Sequence, residues 1–294
     1  MNDLSQISDE KIKIIKNIES ALLDGDTFRK VSVNDPEPKD EDIKRVILPF
    51  DNKRSGCVSK IKAFMARKIA ESFTKRVNER TEIVGLENAL GIRGSAIITS
   101  NHYNPTDSTP VRILARLLDK EKRLHISVQE SNVFMTGMFG FLMKNCNTHP
   151  FSRNAEYMVK NLKPALEEIL KNDSLLLIYP EQEMWYNYKK PRPLRDGAYH
   201  YASLFKIPVI PTFTEMVTLE GEKDSDGFLP IKHILHVLPP IYPNSSLSVR
   251  ENRTRMQTID YILKKKCYED VYKTKLDYTF NLEKDIAGLV ADEI

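Results

Sequence analysis

The chain has 294 residues, 41% hydrophobic and 29% charged, with 44 Lys and Arg against 41 Asp and Glu for a net charge of +3. That is enough chain for a sizeable core of ordinary globular composition, and the near balance of charge argues against a nucleic-acid partner. Cys57, Cys146 and Cys267 are odd in number and far apart, so neither a disulfide framework nor a cysteine zinc site is expected, and a reducing, cytoplasmic compartment fits.

The first residues, MNDLSQISDEKIK, lack the basic and apolar regions of a signal peptide. No apolar run approaches the roughly 20 residues that span a bilayer. Residues 8–24 are predicted helical, with Ser8 as N-cap, an apolar stripe of Ile14, Ile15, Ile18, Ala21 and Leu22, and Gly25 as the stop. Residues 31–42, VSVNDPEPKDED, read as an acidic connector, closing an N-terminal section of residues 1–52. Residues 53–80 form one helix in this reading, with Ile61, Phe64, Met65, Ile69, Phe73 and Val77 recurring at spacings of three and four. Its cations, among them Lys53, Arg54, Lys60, Lys62, Arg67, Lys68, Lys75, Arg76 and Arg80, outnumber Glu71 and Glu79. Such a helix either lies on an anionic membrane or packs on a core with a solvated basic face.

From residue 81 to 294 short apolar strands alternate with helical patterns. Strands are predicted at 95–100, 124–129, 149–151, 174–180, 207–214 and 231–242. Helices are predicted at 109–119 (Thr109 as N-cap, Pro110 first), 132–144, 154–172 (kinked at Pro164), 197–205 and 248–267, the last opening on a Ser248–Glu251 capping box. The expected fold is α/β: a mixed, largely parallel central sheet flanked by helices, with an N-terminal helical extension. Ligands gather beyond strand ends in such sheets.

After the first of these strands comes TSNHYNPTDSTP, residues 99–110. Asn104-Pro105 is a turn former that can fold Asp107 back onto the Nδ1–H of His102. The pair is then either a base with its orienting carboxylate or a surface turn closed by an Asx-type bond. The spacing alone leaves both open. The remaining histidines, His125, His149, His200, His233 and His236, have no carboxylate or cysteine at ligand spacing, so no metal site is expected. Trp185, Tyr186 and Tyr188 read as core.

Three later blocks follow in order: Phe151-Ser152-Arg153, Tyr179-Pro180-Glu181 and Val209-Ile210-Pro211. With Asn101-His102 and Asp107 they resemble the glycerolipid acyltransferase family, in which N-H-x4-D, a phenylalanine-x-x-arginine block, F-P-E-G-T-R and an apolar strand ending near proline recur in this order. The resemblance runs from about residue 83 to about 240. It implies an O-acyltransferase of phospholipid biosynthesis, with His102 as general base and Asp107 orienting it. It implies a fatty acyl donor, acyl-CoA or acyl-carrier protein, and a lysophospholipid or glycerol-phosphate-type acceptor, with no cofactor and no metal. Asn101, Arg153, Pro180 and Glu181 are the implied substrate-binding residues. Gln182-Glu183-Met184 stands where the family has Gly-Thr-Arg, so an arginine that grips phosphate is missing. Lys189, Lys190, Arg192 and Arg195 are candidates to replace it, Lys189 and Arg195 foremost. The enzyme would sit peripherally on the inner face of the membrane. Two other readings stay open: a thioesterase or esterase using the same pair, and a non-catalytic acyl-lipid-binding protein.

Overall fold

The computed structural model describes residues 7–50, 56–120 and 123–289. Helix α1 (Asp9–Leu23) buries Ile14, Ile15, Ile18, Ala21 and Leu22, the stripe its spacing predicts. Ser8 stands at the N-cap but makes no capping bond, leaving Asp9 and Glu10 to meet the helix dipole. A second helix, α2 (Asp40–Ile47), rises out of the expected connector. Its three acids at the start and two bases at the end suit the dipole, and burial of Ile43 and Ile47 gives a helix this short the packing it needs.

Helix α3 (Cys57–Val77) is shorter than predicted, and Lys53 and Arg54 lie outside the described residues. It buries its small side chains, Ala66, Ala70 and Thr74, with Phe141, Leu142 and Cys146 packed against the alanines. The large apolar ones point outward: Val58, Ile61, Phe64 and Met65 are 65%, 61%, 56% and 51% exposed. The packed-helix reading placed these on the core, and the structure turns them to the surface.

Strand β1 (Glu82–Val84) and helix α4 (Glu87–Leu90) are too short to leave a period in the sequence. Then come β2 (Ala96–Thr99), α5 (Ser108–Leu117), β3 (Leu124–Gln129), a 3-10 turn (Glu130–Phe134), α6 (Gly137–Asn145) and β4 (Thr148–Phe151). Next is a long helix in three parts, α7 (Ala155–Tyr157), a π-helical stretch (Met158–Leu162) and α8 (Lys163–Leu170). Pro164 lies in the first turn of α8, where its missing N–H and its ring are absorbed by the wider π stretch before it. The chain ends with β5 (Leu175–Ile178), α9 (Gly197–Phe205), β6 (Val209–Thr218), β7 (Ile231–Val237), α10 (Val249–Tyr272) and α11 (Leu282–Asp285). The capping box of α10 forms as predicted.

The seven strands make one sheet, ordered β1-β7-β6-β2-β5-β3-β4. Only β6 and β7 pair antiparallel, so β2 to β6 run one way and β1 and β7 the other. Alternate residues of the central strands enter two cores. Ile97, Leu176, Ile178 and Val209 face one, with Leu166, Ala202 and Met256 from the helices. Ile98, Leu175, Leu177 and Ile210 face the other, with Val111, Leu114 and Ala115 of α5. Helices on both faces are what continuous apolar strands require.

Pro211 lies inside β6, not at its end as the sequence suggests. It pairs with Thr99, the last residue of β2. The hydroxyl of Thr212 donates to the carbonyl of Thr99 at 3.0 Å, so that carbonyl is served by a side chain beside the proline. The N-terminal section packs into the same body: α1 shares a core with Trp185, Tyr186, Tyr188 and Phe228, and Ile43, Ile47 and Phe50 join the first sheet core.

Candidate active site

Strands β2 and β5 are parallel neighbours, so the loops after them leave the same edge of the sheet. Their backbones are fastened together. Trp185 N–H donates to the His102 carbonyl at 3.0 Å and Asn187 N–H to the Tyr103 carbonyl at 2.7 Å. Glu181, buried, accepts His102 N–H at 3.1 Å. Asn101 ties the first loop to β6: its amide accepts from Thr214 N–H at 2.8 Å and donates to the Thr214 carbonyl at 3.1 Å. With both ends of its amide engaged, Asn101 is a fastening of the loop.

The loop brings the two residues of the turn together. His102 Nδ1 lies 2.5 Å from Asp107 Oδ2. Asn104 makes the turn, its side-chain oxygen accepting from the Thr106 N–H and hydroxyl at 3.0 and 2.9 Å. Asp107, not Thr109, is the N-cap of α5, and its side chain makes no capping bond. Its carboxylate is turned to the histidine instead. The other oxygen, Oδ1, accepts the Tyr179 hydroxyl at 2.7 Å, and Oδ2 also takes Tyr103 N–H at 3.3 Å. The Tyr179 ring stacks on the imidazole, centroids 4.2 Å apart. Burial, then the Asp107 charge, hold the Tyr179 phenol well above its usual pKa, so it remains a donor. Asp107 is 4% exposed at its side chain and His102 22%. Among the described residues nothing bonds Nε2 of His102.

Such a site can accept a proton at Nε2 while a buried carboxylate fixes the tautomer through Nδ1. Residues 76–215, which hold every residue of this arrangement, match the model of the family described as Acyltransferase. That segment belongs to the acyltransferase family. No curated protein matches the chain. A similar solved structure is that of the 1-acyl-sn-glycerophosphate (LPA) acyltransferase PlsC from Thermotoga maritima, 17% identical over 78% of this chain and 88% of that one, with a TM-score of 0.48.

The structure sorts the cations of the segment. Arg153 is exposed, and its Nε donates to Glu130 at 2.9 Å. Buried Glu130 also accepts Arg153 N–H and the Ser152 hydroxyl. Arg192 is fully buried, paired with Glu181 at 3.2 Å, stacked on Trp185 at 4.5 Å and bonded to the carbonyls of Thr27 and Glu183. Lys190 is buried between Asp285 and Asp277 and the Thr279 carbonyl. Lys189 faces the ring of Tyr272 at 5.8 Å, and burial lowers its pKa. Arg195 is exposed with its guanidinium on the Phe28 ring at 3.7 Å, and its N–H donates to the Pro180 carbonyl at 2.7 Å. Lys189 and Arg195 thus lie against aromatic rings.

Three partners escape the sequence reading. Tyr179 enters the sequence reading as part of the matching Tyr179-Pro180-Glu181 block, without its bond to Asp107. Glu130 has no motif, and Arg192 reads in the sequence as a candidate phosphate cation, not as the buried partner of Glu181. Tyr179→Phe keeps the stack on His102 and removes one bond to Asp107. The expected result is a fall in kcat of about tenfold, the low end for a hydrogen bond to a charged group, with KM unchanged in steady-state acyl-transfer assays.

Proposed function

We propose that this protein is an O-acyltransferase that moves a fatty acyl group from acyl-CoA or acyl-carrier protein to a hydroxyl of a lysophospholipid or glycerol-phosphate-type acceptor. The observation that carries the reading is the 2.5 Å contact between His102 Nδ1 and buried Asp107, with Nε2 left to the substrate. His102 takes the acceptor hydroxyl proton as the oxygen bonds to the thioester carbonyl carbon. The tetrahedral intermediate collapses, the carbon–sulfur bond breaks and the thiolate takes the proton from the imidazolium. Asp107 stabilises that imidazolium. Glu181 and Arg192 brace the loop, and Arg153, bonded to Glu130, and Arg195, its N–H bonded to the Pro180 carbonyl, are cations open to solvent. No cofactor enters this scheme beyond the donor.

The test is acyl transfer from labelled acyl-CoA and acyl-carrier protein to a panel of acceptors. Product that rises with acceptor supports the reading. Thiol release indifferent to every acceptor would assign the pair to thioester hydrolysis instead, and tight donor binding without turnover would assign it to carriage.

Peripheral attachment at the inner membrane face is part of the proposal. No described helix is long and apolar enough to cross a bilayer. The outward residues of α3 lie among Lys60, Lys62, Lys68, Lys75 and Arg76, and Met138 and Phe139 of α6 add 60% and 40% exposed side chains. Buried apolar surface and attraction to anionic lipid act together on such a face. The protein is expected to float with anionic vesicles and less with neutral ones. Ile61→Asp with Phe64→Asp should weaken binding by at least about tenfold, as each lost apolar side chain is worth about 1.5–3 kcal/mol when buried. Flotation indifferent to lipid charge and to these substitutions would count against attachment through α3.

A further inference from the structure

Glu183 is the unpaired carboxylate of the site. It sits in the middle of a tight loop, with Gln182 at φ 66°. The loop is closed by Gln182 N–H to the Tyr179 carbonyl at 3.1 Å and Glu183 N–H to the Glu181 carbonyl at 2.9 Å. Two residues before it, Glu181 accepts the His102 N–H. Two residues after it, Trp185 donates to the His102 carbonyl. Glu183 is thereby held beside the base from both sides. Its side chain is half-buried and has no hydrogen bond or ion pair to any described residue. The neighbouring carboxylates are all engaged: Asp107 with His102 and Tyr179, Glu181 with Arg192, Glu130 with Arg153. Burial raises the Glu183 pKa, and the charges of Lys30, His102 and Arg192 oppose that rise.

The cations around it are engaged as well. Arg192 is buried in a pair with Glu181. Lys30 lies 3.4 Å from Asp35. A phosphate monoester seated here would meet the unpaired carboxylate of Glu183, and the next residue, where the family resemblance implies an arginine, is the uncharged Met184. A group that donates hydrogen bonds would complete it.

We infer that Glu183 binds a hydrogen-bond-donor group of the acceptor, an ammonium or a hydroxyl, and that the site disfavours a phosphate monoester next to the hydroxyl being acylated. The inference rests on the acyl-transfer reading above and narrows its acceptor.

The test compares three acceptors that share an acyl chain: lysophosphatidate, lysophosphatidylethanolamine and monoacylglycerol. Transfer by the native protein and by Glu183→Gln is measured, together with calorimetric binding of the same three lipids to the His102→Ala protein. In the native protein lysophosphatidate is expected to have the lowest kcat/KM, by at least about tenfold. Glu183→Gln should shrink the advantage of the donor-bearing acceptor by about fivefold or more. A larger loss with lysophosphatidylethanolamine identifies the ammonium as the recognised group, and a larger loss with monoacylglycerol identifies the hydroxyl. Preferred transfer to lysophosphatidate, with an order that Glu183→Gln leaves unchanged, overturns the inference and leaves acyl transfer standing. Absence of transfer to all three, with the expected binding order kept, overturns acyl transfer and leaves the role of Glu183 standing. Binding of none, or of lysophosphatidate best, overturns the inference.

Discussion

His102→Ala is expected to lower acyl transfer by on the order of 10²–10⁴-fold at unchanged stability, the range that a positioned general base supplies. The ring is partly exposed, and among the described residues its side chain bonds only to Asp107, so truncation opens little core. Asp107→Asn should come close to the same loss. An amide in place of the carboxylate cannot stabilise the imidazolium, and by presenting its NH₂ to Nδ1 it favours the tautomer with the proton on Nε2. The two changes act on one unit, so the double variant should fall little below the worse single one. Initial rates of labelled acyl transfer, with thermal melts of each variant, measure this. A His102→Ala protein with near-native transfer would remove the base from the mechanism. Fully additive losses would mean that Asp107 acts apart from the histidine.

How much of this was legible depends on what each residue reports. The sheet was legible because strands buried on both faces are continuous apolar runs, as in β2 and β5, and because LHISVQ alternates apolar with polar residues and marks β3 with its ends. The stripe of α1 and the capping box of α10 are local signals that tertiary structure did not override. Helix α3 was legible as a helix and illegible as a surface. Periodicity marks an apolar face but not whether protein or solvent lies beyond it, and here the protein lies on the side of Ala66, Ala70 and Thr74. Thr109 looked like a cap because hydroxyl residues favour that position, whereas Asp107 holds it with its carboxylate turned to His102. The motif residues that share one site were legible through their order. Their supports were not, because Glu130 reaches Ser152, Arg192 reaches Thr27 and Asp260 reaches Thr99 across 22, 165 and 161 positions, bonds that leave no local pattern.

The deepest of those supports yields the second large effect. Lys264 and Asp260, one turn apart on α10, are both wholly buried and paired with each other. Asp260 Oδ2 also accepts the hydroxyls of Thr99 at 2.5 Å and Tyr199 at 2.7 Å, and Lys264 donates to the Thr99 hydroxyl at 2.9 Å. Burial pulls the Lys264 pKa down and the Asp260 charge resists it. Asp260→Ala leaves that ammonium without its counter-charge. The expected cost is about 3–5 kcal/mol of stability, a fall in Tm on the order of 10 °C for a chain of this size. Lys264→Met added to Asp260→Ala removes the second charge as well, and should recover more than half of the loss. Thr99 ends β2 just before the loop that carries His102, so the same pair tests what positions the base. Asn101 fastens that loop to β6 through two further bonds, and Thr212 holds the Thr99 carbonyl. The double variant, assayed well below its Tm, should therefore keep acyl transfer within about threefold of native, a change of under 1 kcal/mol in the barrier. A hundredfold fall in kcat with stability recovered would move the positioning of His102 from Asn101 to the buried pair.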